Sequence, residues 1–131
     1  MLFRSSPEVT QNASEVAAHK GVREAMVMKQ QAFGKEGSIV AEGRDTTTVV
    51  FPNADVKIYL NATVEERAQR RLLDLMKIGV STTLQELQED IEKRDFKDSS
   101  REHSPLLKAK DAILVDTSNM TFEGQIGRAH V

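Results

Sequence analysis

The sequence of 131 residues contains no cysteine and no tryptophan, and it has only three prolines. Without cysteine the chain can form neither a disulfide framework nor a thiolate metal site. No apolar run approaches the roughly 18 residues that a membrane-spanning helix needs, so we expect no membrane partner. A chain without disulfides is compatible with a reducing compartment, and we expect a cytoplasmic protein.

A strong charge of either sign is also missing. The 18 Lys and Arg residues nearly balance the 20 Asp and Glu residues, which gives a formal net charge of -2. This balance argues against broad electrostatic binding of a nucleic acid polymer. A small anionic ligand stays possible, because it needs only a local cluster of arginines. His19, His103 and His130 are scattered and lack the spacing of metal ligands, so we predict no metal site.

The glycine-rich phosphate loop G-x-x-x-x-G-K of ATP-binding proteins is absent as well. Gly34-Lys35 matches the end of this motif, but Lys29 stands five residues before Gly34, where the motif requires glycine. No predicted strand precedes it, and no Ser/His/Asp set suggests nucleophilic catalysis. We therefore expect no phosphoryl transfer from the chain on its own.

Helix and strand patterns alternate along the chain. Residues 7–20, 22–33 and 63–78 are predicted helices, and Thr82 or Thr83 caps another; residues 38–41, 56–60 and 112–115 are predicted strands. Thr63 to Glu66 has the form of a capping box, and the helix that follows has an apolar stripe and is ended by Gly79. The predicted stripes consist of Ala68, Leu72 and Leu75 on this helix and of Leu84, Leu87 and Ile91 on the next. A last helix begins at Thr121, and Gly124 and Gly127 are expected to interrupt it. The alternation predicts an α/β fold with a parallel sheet, in which ligands bind beyond the carboxyl ends of the strands.

Two charged segments could bind a nucleotide. In Glu42-Gly43-Arg44-Asp45, glycine allows close approach, arginine can grip phosphate, and aspartate can accept from an amine or a sugar hydroxyl. Arg94, Asp98 and Arg101 share one face if the segment is helical. The alternative for both segments is an ordinary surface with ion pairs, which is the usual meaning of such patterns.

Several segments together resemble the bacterial-type cytidylate kinases. Residues 40–52 resemble the signature A-[DE]-G-R-D-x-G-T-V-V-F-P, and residues 94–101 resemble the lid motif R-D-x-x-D-x-x-R. Residues 56–60, 65–68, 105–106 and 111–117 resemble the other segments of that family in the same order, and the likeness covers residues 5–123. It implies a P-loop nucleoside monophosphate kinase-like parallel sheet with flanking helices, without its N-terminal strand and phosphate loop.

The resemblance also implies an activity and a set of roles. The family transfers a phosphoryl group from ATP, with Mg²⁺, to CMP or dCMP, and we expect a monomer that needs no nucleic acid polymer. By resemblance, Ser14, Arg23 and Asp45 would read cytosine, Arg94 and Asp98 would hold the sugar, Arg44 and Arg101 would bind the acceptor phosphate, and Arg70 would face the donor phosphates. A non-catalytic nucleotide-binding module and a related UMP kinase are the alternatives.

The resemblance divides the chain into a helical acceptor-binding insert (1–37) and a core (38–125) with a lid at about 70–103. Residues 126–131 match the translation of a common sequencing adapter in one reading frame, so we expect a non-native tail. We expect the chain to be a C-terminal part of such a kinase, prone to aggregation because the missing strand would leave sheet edges unpaired.

Thr47 departs from the family pattern, which has glycine at this position. A β-branched residue strongly resists positive φ. We therefore expect the loop around Arg44 and Asp45 to be disturbed.

Overall fold

The computed structural model of the chain describes residues 7–128. The elements in chain order are α1 (Pro7–Val16), α2 (Lys20–Gly34), a π-helical turn (Thr46–Val50), β1 (Ile58–Asn61), α3 (Val64–Lys77), α4 (Leu84–Ser100), β2 (Ile113–Asp116) and α5 (Phe122–Arg128). The predicted α/β class is confirmed. None of the helices described is both long and apolar enough to cross a membrane.

The contacts divide the chain into two compact units. The first unit comprises the chain up to Asp55 together with Arg94–Ala109, and the second comprises Val56–Lys93 together with the chain from Lys110 onward. Helix α4 contributes residues to both units, because the division falls between Lys93 and Arg94.

The sheet belongs to the second unit. Strand β1 pairs with β2 in parallel, and the register runs from Ile58 opposite Ile113 to Asn61 opposite Asp116. Both strands lie within two residues of their predicted positions, and β-branched and apolar residues explain their formation. Ile58, Leu60 and Ile113 expose about half or more of their surface, so the faces of this small sheet are largely uncovered.

Helix α3 and the first part of α4 form the apolar core of the second unit. Ala68, Leu75 and Leu87 are buried there, and Leu72, Val80, Leu84 and Ile91 pack against them. Burial of this stripe is the main stabilisation available to two such charged helices, because helix propensity alone is weak. The predicted stripes of both helices are confirmed.

The caps explain where α3 and α4 begin. The Thr63 hydroxyl accepts a hydrogen bond from the Glu66 amide at 3.2 Å, as the capping box predicts. Before α4, the Thr83 hydroxyl accepts from the Glu86 amide at 3.2 Å, and the Glu86 carboxylate accepts from the Thr83 amide at 2.9 Å. Of the two predicted caps, Thr83 is therefore the one that caps the backbone. Gly79, at φ 76°, follows α3 as predicted.

In the first unit, α2 packs against the π-helical turn and the residue after it. The Gln31 side-chain amide donates to the Val50 carbonyl oxygen at 3.2 Å. Gly34 lies so close to the Phe51 ring that an added Cβ would be 2.5 Å from ring atom Cε1. The absence of a side chain at residue 34 therefore permits this contact.

Three local predictions are wrong. Residues 38–41 form no strand and are exposed, since an apolar run becomes a strand only when another strand pairs with it, and none does so among residues 7–128. Helix α1 ends at Val16, four residues earlier than predicted. Helix α5 continues through both Gly124 and Gly127, because glycine weakens a helix without necessarily ending it, and the Gly124 amide donates to the Thr121 hydroxyl at 3.1 Å.

Candidate functional site

A cavity of about 210 Å³ lies within the first unit. Its lining consists of Arg23, Arg44, Arg94, Arg101, Asp45, Asp98, Ala13 and Ala17. Four guanidinium charges face two carboxylate charges, which leaves a formal excess of two positive charges. The structure thus brings together six of the eight residues predicted for the site, and their charge suits a small dianion.

Asp98 is the shared partner of three arginines. Its carboxylate lies 3.2 Å from Arg44 Nε, 3.3 Å from Arg101 Nη2 and 3.8 Å from Arg94 Nε, and only 4% of the side chain is exposed. Helix α4 explains part of this arrangement, because Arg94 and Asp98 are one turn apart on the same face. Arg101 is the first residue after the helix, so it lies one residue beyond the helical face that was predicted to include it.

Arg44 is held from two sides. Its Nη1 donates to Asp95 Oδ1 at 3.2 Å, while its Nε lies 3.2 Å from Asp98. Sequence reasoning missed Asp95 as a site residue, although it stands next to Arg94 in the same charged segment. The helical period assigns Asp95 to a different face from Arg94 and Asp98, and only the position of Arg44 shows that both faces contribute.

Arg23 and Asp45 form a second, nearly buried ion pair, with about a tenth of each side chain exposed. Arg23 Nη1 also donates to the Ala17 carbonyl oxygen at 3.1 Å. Helix α2 supplies Arg23, and the loop before the π-helical turn supplies Asp45. Residues 22 positions apart in sequence thus meet at one wall of the cavity.

The π-helical turn fixes the backbone of Asp45. The carbonyl oxygen of Asp45 accepts from the amides of Val49 at 2.8 Å and of Thr48 and Val50 at 3.3 Å each. Thr47 lies in this turn, and among the residues described Ser104 is the one non-glycine residue with positive φ. Thr47 therefore avoids the positive φ that a β-branched residue resists, and the expected disturbance of the loop stays a prediction.

Several nitrogen atoms at the cavity keep unused hydrogen-bonding capacity. Within residues 7–128, the buried Arg23 Nε, Arg94 Nε and Arg101 Nη2 have no acceptor in hydrogen-bonding geometry. Burial lowers the pKa of Arg101, and the nearby Asp98 carboxylate partly opposes this shift. Arginine stays charged even so. These guanidinium groups can therefore donate to ligand oxygens from nitrogen atoms that are themselves shielded from water.

The remaining predicted residues lie elsewhere. Arg70 belongs to the second unit, where it donates to the Thr117 carbonyl oxygen at 2.6 Å and to Glu66 at 2.9 Å. Thr117 follows β2, so this pair marks the carboxyl end of the sheet. Ser14 lies in α1, and its side chain is outside the part of the chain that the structure describes. Across the described ranges, no group of three His, Cys, Asp or Glu side chains could hold a metal ion.

An arginine-rich cavity with an excess of two positive charges has the donors and the charge that binding of a small phosphorylated ligand requires. Comparison with known proteins makes the assignment specific, because the family model described as cytidylate kinase matches residues 4–129. The chain therefore belongs to the cytidylate kinase family, which is a family of nucleoside monophosphate kinases. The resemblance found in the sequence is confirmed.

Three relatives illustrate how far the similarity extends. The cytidylate kinase of Lysinibacillus sphaericus (strain C3-41) is 50% identical over 118 residues, which cover 90% of this chain and 53% of the relative. That of Listeria welshimeri is 52% identical over the same shares. That of Lactobacillus gasseri is 46% identical over 123 residues, which cover 94% of this chain and 54% of the relative. The chain spans about half the length of the curated relatives it matches.

Proposed function

We propose that the protein containing this chain transfers the terminal phosphoryl group of ATP to CMP or dCMP, and that the charged cavity is the acceptor site. The observation that carries the proposal is the set of four arginines around two buried aspartates. A nucleoside monophosphate carries close to two negative charges near pH 7. The formal excess of two positive charges in the cavity would balance such a phosphate.

Phosphoryl transfer requires little covalent chemistry from the protein. It requires alignment of the reacting groups and neutralisation of their charge. Arg44 and Arg101 would bind the acceptor phosphate, because both line the cavity and a guanidinium can contact two phosphate oxygens at once. Arg94 and Asp98 would hold the sugar, with Asp98 accepting from a hydroxyl.

Arg23 and Asp45 would recognise cytosine together with Ser14. The exocyclic amine of cytosine is a donor that a carboxylate such as Asp45 can accept. Uracil presents a carbonyl oxygen at the same position, and this oxygen would face the carboxylate without a proton between them. The pairing of Asp45 with Arg23 orients the carboxylate, so it supports a preference for CMP over UMP.

The volume of the cavity limits how much of a nucleotide it can enclose. Pockets for small molecules usually measure about 300 to 1,000 Å³. A cavity of about 210 Å³ would hold a phosphate and part of a sugar, and the rest of the nucleotide would extend beyond it. Closure of a lid formed by residues 70–103 would exclude water during the transfer.

ATP and Mg²⁺ enter the proposal through the family. Mg²⁺ normally binds one or two carboxylates together with substrate phosphates. In the part of the chain that the structure covers, no three His, Cys, Asp or Glu side chains converge into a set that could hold a metal ion. Arg70 would contact the donor phosphates. We further expect a cytoplasmic monomer.

Calorimetric titration of the 131-residue chain with CMP, dCMP, UMP and cytidine tests the acceptor site. We expect CMP and dCMP to bind more tightly than UMP, and cytidine to bind weakly because it lacks the phosphate. The substitution Arg101→Gln should weaken CMP binding about ten-fold or more, the size of one lost hydrogen bond between charged groups. Lys29→Gln is the matched control, because exposed Lys29 carries the same charge in the same unit without lining the cavity.

Absence of CMP binding by the folded chain, or equal binding by the Arg101→Gln variant, would contradict the proposal. The reaction itself is measured as CMP-dependent formation of ADP by a chimera in which this chain replaces the matching segment of the Listeria welshimeri relative. Turnover by the chimera would support phosphoryl transfer. A folded chimera that binds CMP without turnover would favour a non-catalytic nucleotide-binding module.

A further inference from the structure

Asp95 lies outside the cavity and contacts Arg44, which lines it. It follows Arg94 in α4, and about a quarter of its side chain is exposed. It does not line the cavity, yet its Oδ1 accepts from Arg44 Nη1 at 3.2 Å. The guanidinium of Arg44 is therefore held by a carboxylate that a ligand in the cavity does not touch.

We propose that Asp95 is a positioning residue, which keeps the Arg44 guanidinium oriented toward the phosphate of an acceptor nucleotide. The inference rests on the proposed function, in which Arg44 binds that phosphate. Nothing in the similarity to cytidylate kinases assigns this role to Asp95.

The inference rests on the different contacts that Asp95 and Asp98 make with Arg44. Asp98 already faces three arginines, and its Oδ2 has no donor in hydrogen-bonding geometry among the described residues. If Asp98 also accepts from a ligand hydroxyl, its contact with Arg44 weakens at the moment when Arg44 is needed. The contact between Asp95 and Arg44 persists, because it uses the Nη1 edge rather than the Nε edge.

Holding one edge of a guanidinium before the ligand arrives also reduces the entropy that binding must remove. Arginine has a long, flexible side chain, and more than a third of Arg44 is exposed, so solvent alone would leave it several orientations. A carboxylate at one edge leaves the other donors of the planar group available for phosphate.

If Asp95 acted only through its charge, its removal would strengthen the binding of an anion. Whether binding becomes stronger or weaker therefore distinguishes the two roles. Removing the negative charge of Asp95 makes the surroundings of the cavity more positive, and this change alone would strengthen the binding of an anion. A positioning role predicts weaker binding of a phosphorylated ligand in spite of the added positive charge.

The test compares Asp95→Ala with Glu92→Ala in the 131-residue chain. Glu92 is an exposed acid on the same helix, and no ion pair is found for it among residues 7–128, so its removal changes the charge without affecting Arg44. Asp95→Ala should weaken CMP binding about five-fold, which corresponds to one partly exposed ion pair, and should leave the weak binding of cytidine unchanged. Asp95→Glu, which keeps the carboxylate, should recover part of the loss.

A second measurement observes Arg44 directly. In the ligand-free chain, the Nη1–H resonances of Arg44 in an NMR spectrum should exchange faster with water in Asp95→Ala than in the wild type or in Glu92→Ala, because Nη1 is the atom that donates to Asp95. CMP binding that is unchanged or tighter in Asp95→Ala, or an equal loss of CMP and cytidine binding, would overturn the proposal. If the wild-type chain does not bind CMP, the assignment of the acceptor site is wrong. The positioning role is tested separately, and exchange at Arg44 that is the same in Asp95→Ala as in the wild type would overturn it.

Discussion

Replacing Asp98 by asparagine removes the charge on which the cavity wall depends. The substitution keeps the shape of the side chain, and the Asp98 carbonyl oxygen still accepts from the Leu106 amide at 2.8 Å. The change therefore isolates the carboxylate charge. We expect a large loss in the free energy of unfolding, because three guanidinium groups lose their common partner.

The size of this loss follows from the exposure of the three arginines. The pair with Arg101 is almost fully buried, at 11% and 4% exposure, and breaking one side of a buried pair costs about 3 kcal/mol or more. Arg44 and Arg94 are 36% and 41% exposed, so solvent screens them and each contributes less than about 1 kcal/mol. The sum is about 3 to 4 kcal/mol for Asp98→Asn, a large part of the stability of a typical domain.

Equilibrium unfolding in urea measures this loss, and the double variant Asp98→Asn/Arg101→Gln is the control. Removing both members of the buried pair leaves no buried charge unpaired, so the double variant should lose less than the sum of its two single variants, by about 1 to 3 kcal/mol. The result also applies if Asp98→Asn alone does not fold, since the double variant is then expected to recover a folded state.

Two outcomes would refute the reasoning about Asp98. A loss below about 1 kcal/mol would mean that the carboxylate is as well solvated as an ordinary surface acid. Strict additivity of the two single variants would mean that Asp98 and Arg101 do not depend on each other.

Two further predictions concern the packing and capping of the helices. Gly34→Ala should destabilise the chain by about 1 kcal/mol in urea unfolding, because the clash with the Phe51 ring outweighs the roughly 1 kcal/mol that alanine gains in a helix. In a Phe51→Leu background the same substitution should become stabilising, and a loss of equal size there would contradict the proposed clash. Thr83→Ala should cost about 1 kcal/mol by removing the cap of α4. Hydrogen bonds from the Thr83 amide, and then from the hydroxyls of Thr83 and Thr82, lower the pKa of Glu86 below its usual 4.5. The stabilisation from the Glu86 carboxylate is therefore present above that pH and is lost as pH falls through the lowered pKa. Glu86→Gln removes this titration, so thermal unfolding from neutral to acidic pH should show a smaller loss than in the wild type, and an unchanged profile would contradict the linkage.

The sequence predicted the features that depend on neighbouring residues. The start of α3 at Thr63 and of α4 at Thr83 follows from side chains three residues apart, and periodicity identified the buried stripe of both helices. The predicted strand at 38–41 was wrong because a strand needs a partner distant in sequence, and an apolar run does not specify one.

In the candidate site too, the sequence predicted the features that depend on neighbouring residues. Helical spacing placed Arg94 and Asp98 on one face, and the structure confirms their proximity. The meeting of Arg23 with Asp45 joins separate elements, so no local pattern indicates it, and only the family resemblance grouped these residues. Asp95 was missed because it contacts Arg44, which lies 51 residues away in the sequence, and no local pattern indicates that contact.

The positive excess of the cavity has a consequence for any solution that contains salt. Such a site attracts the anions of its buffer, so nucleotide binding is an exchange in which one counterion leaves as another arrives. The measured affinity then falls as ionic strength rises, and polyvalent buffer anions compete most strongly. Contacts with a phosphate would provide attraction that every such anion shares, which leaves selection among ligands to the contacts with the sugar and the base.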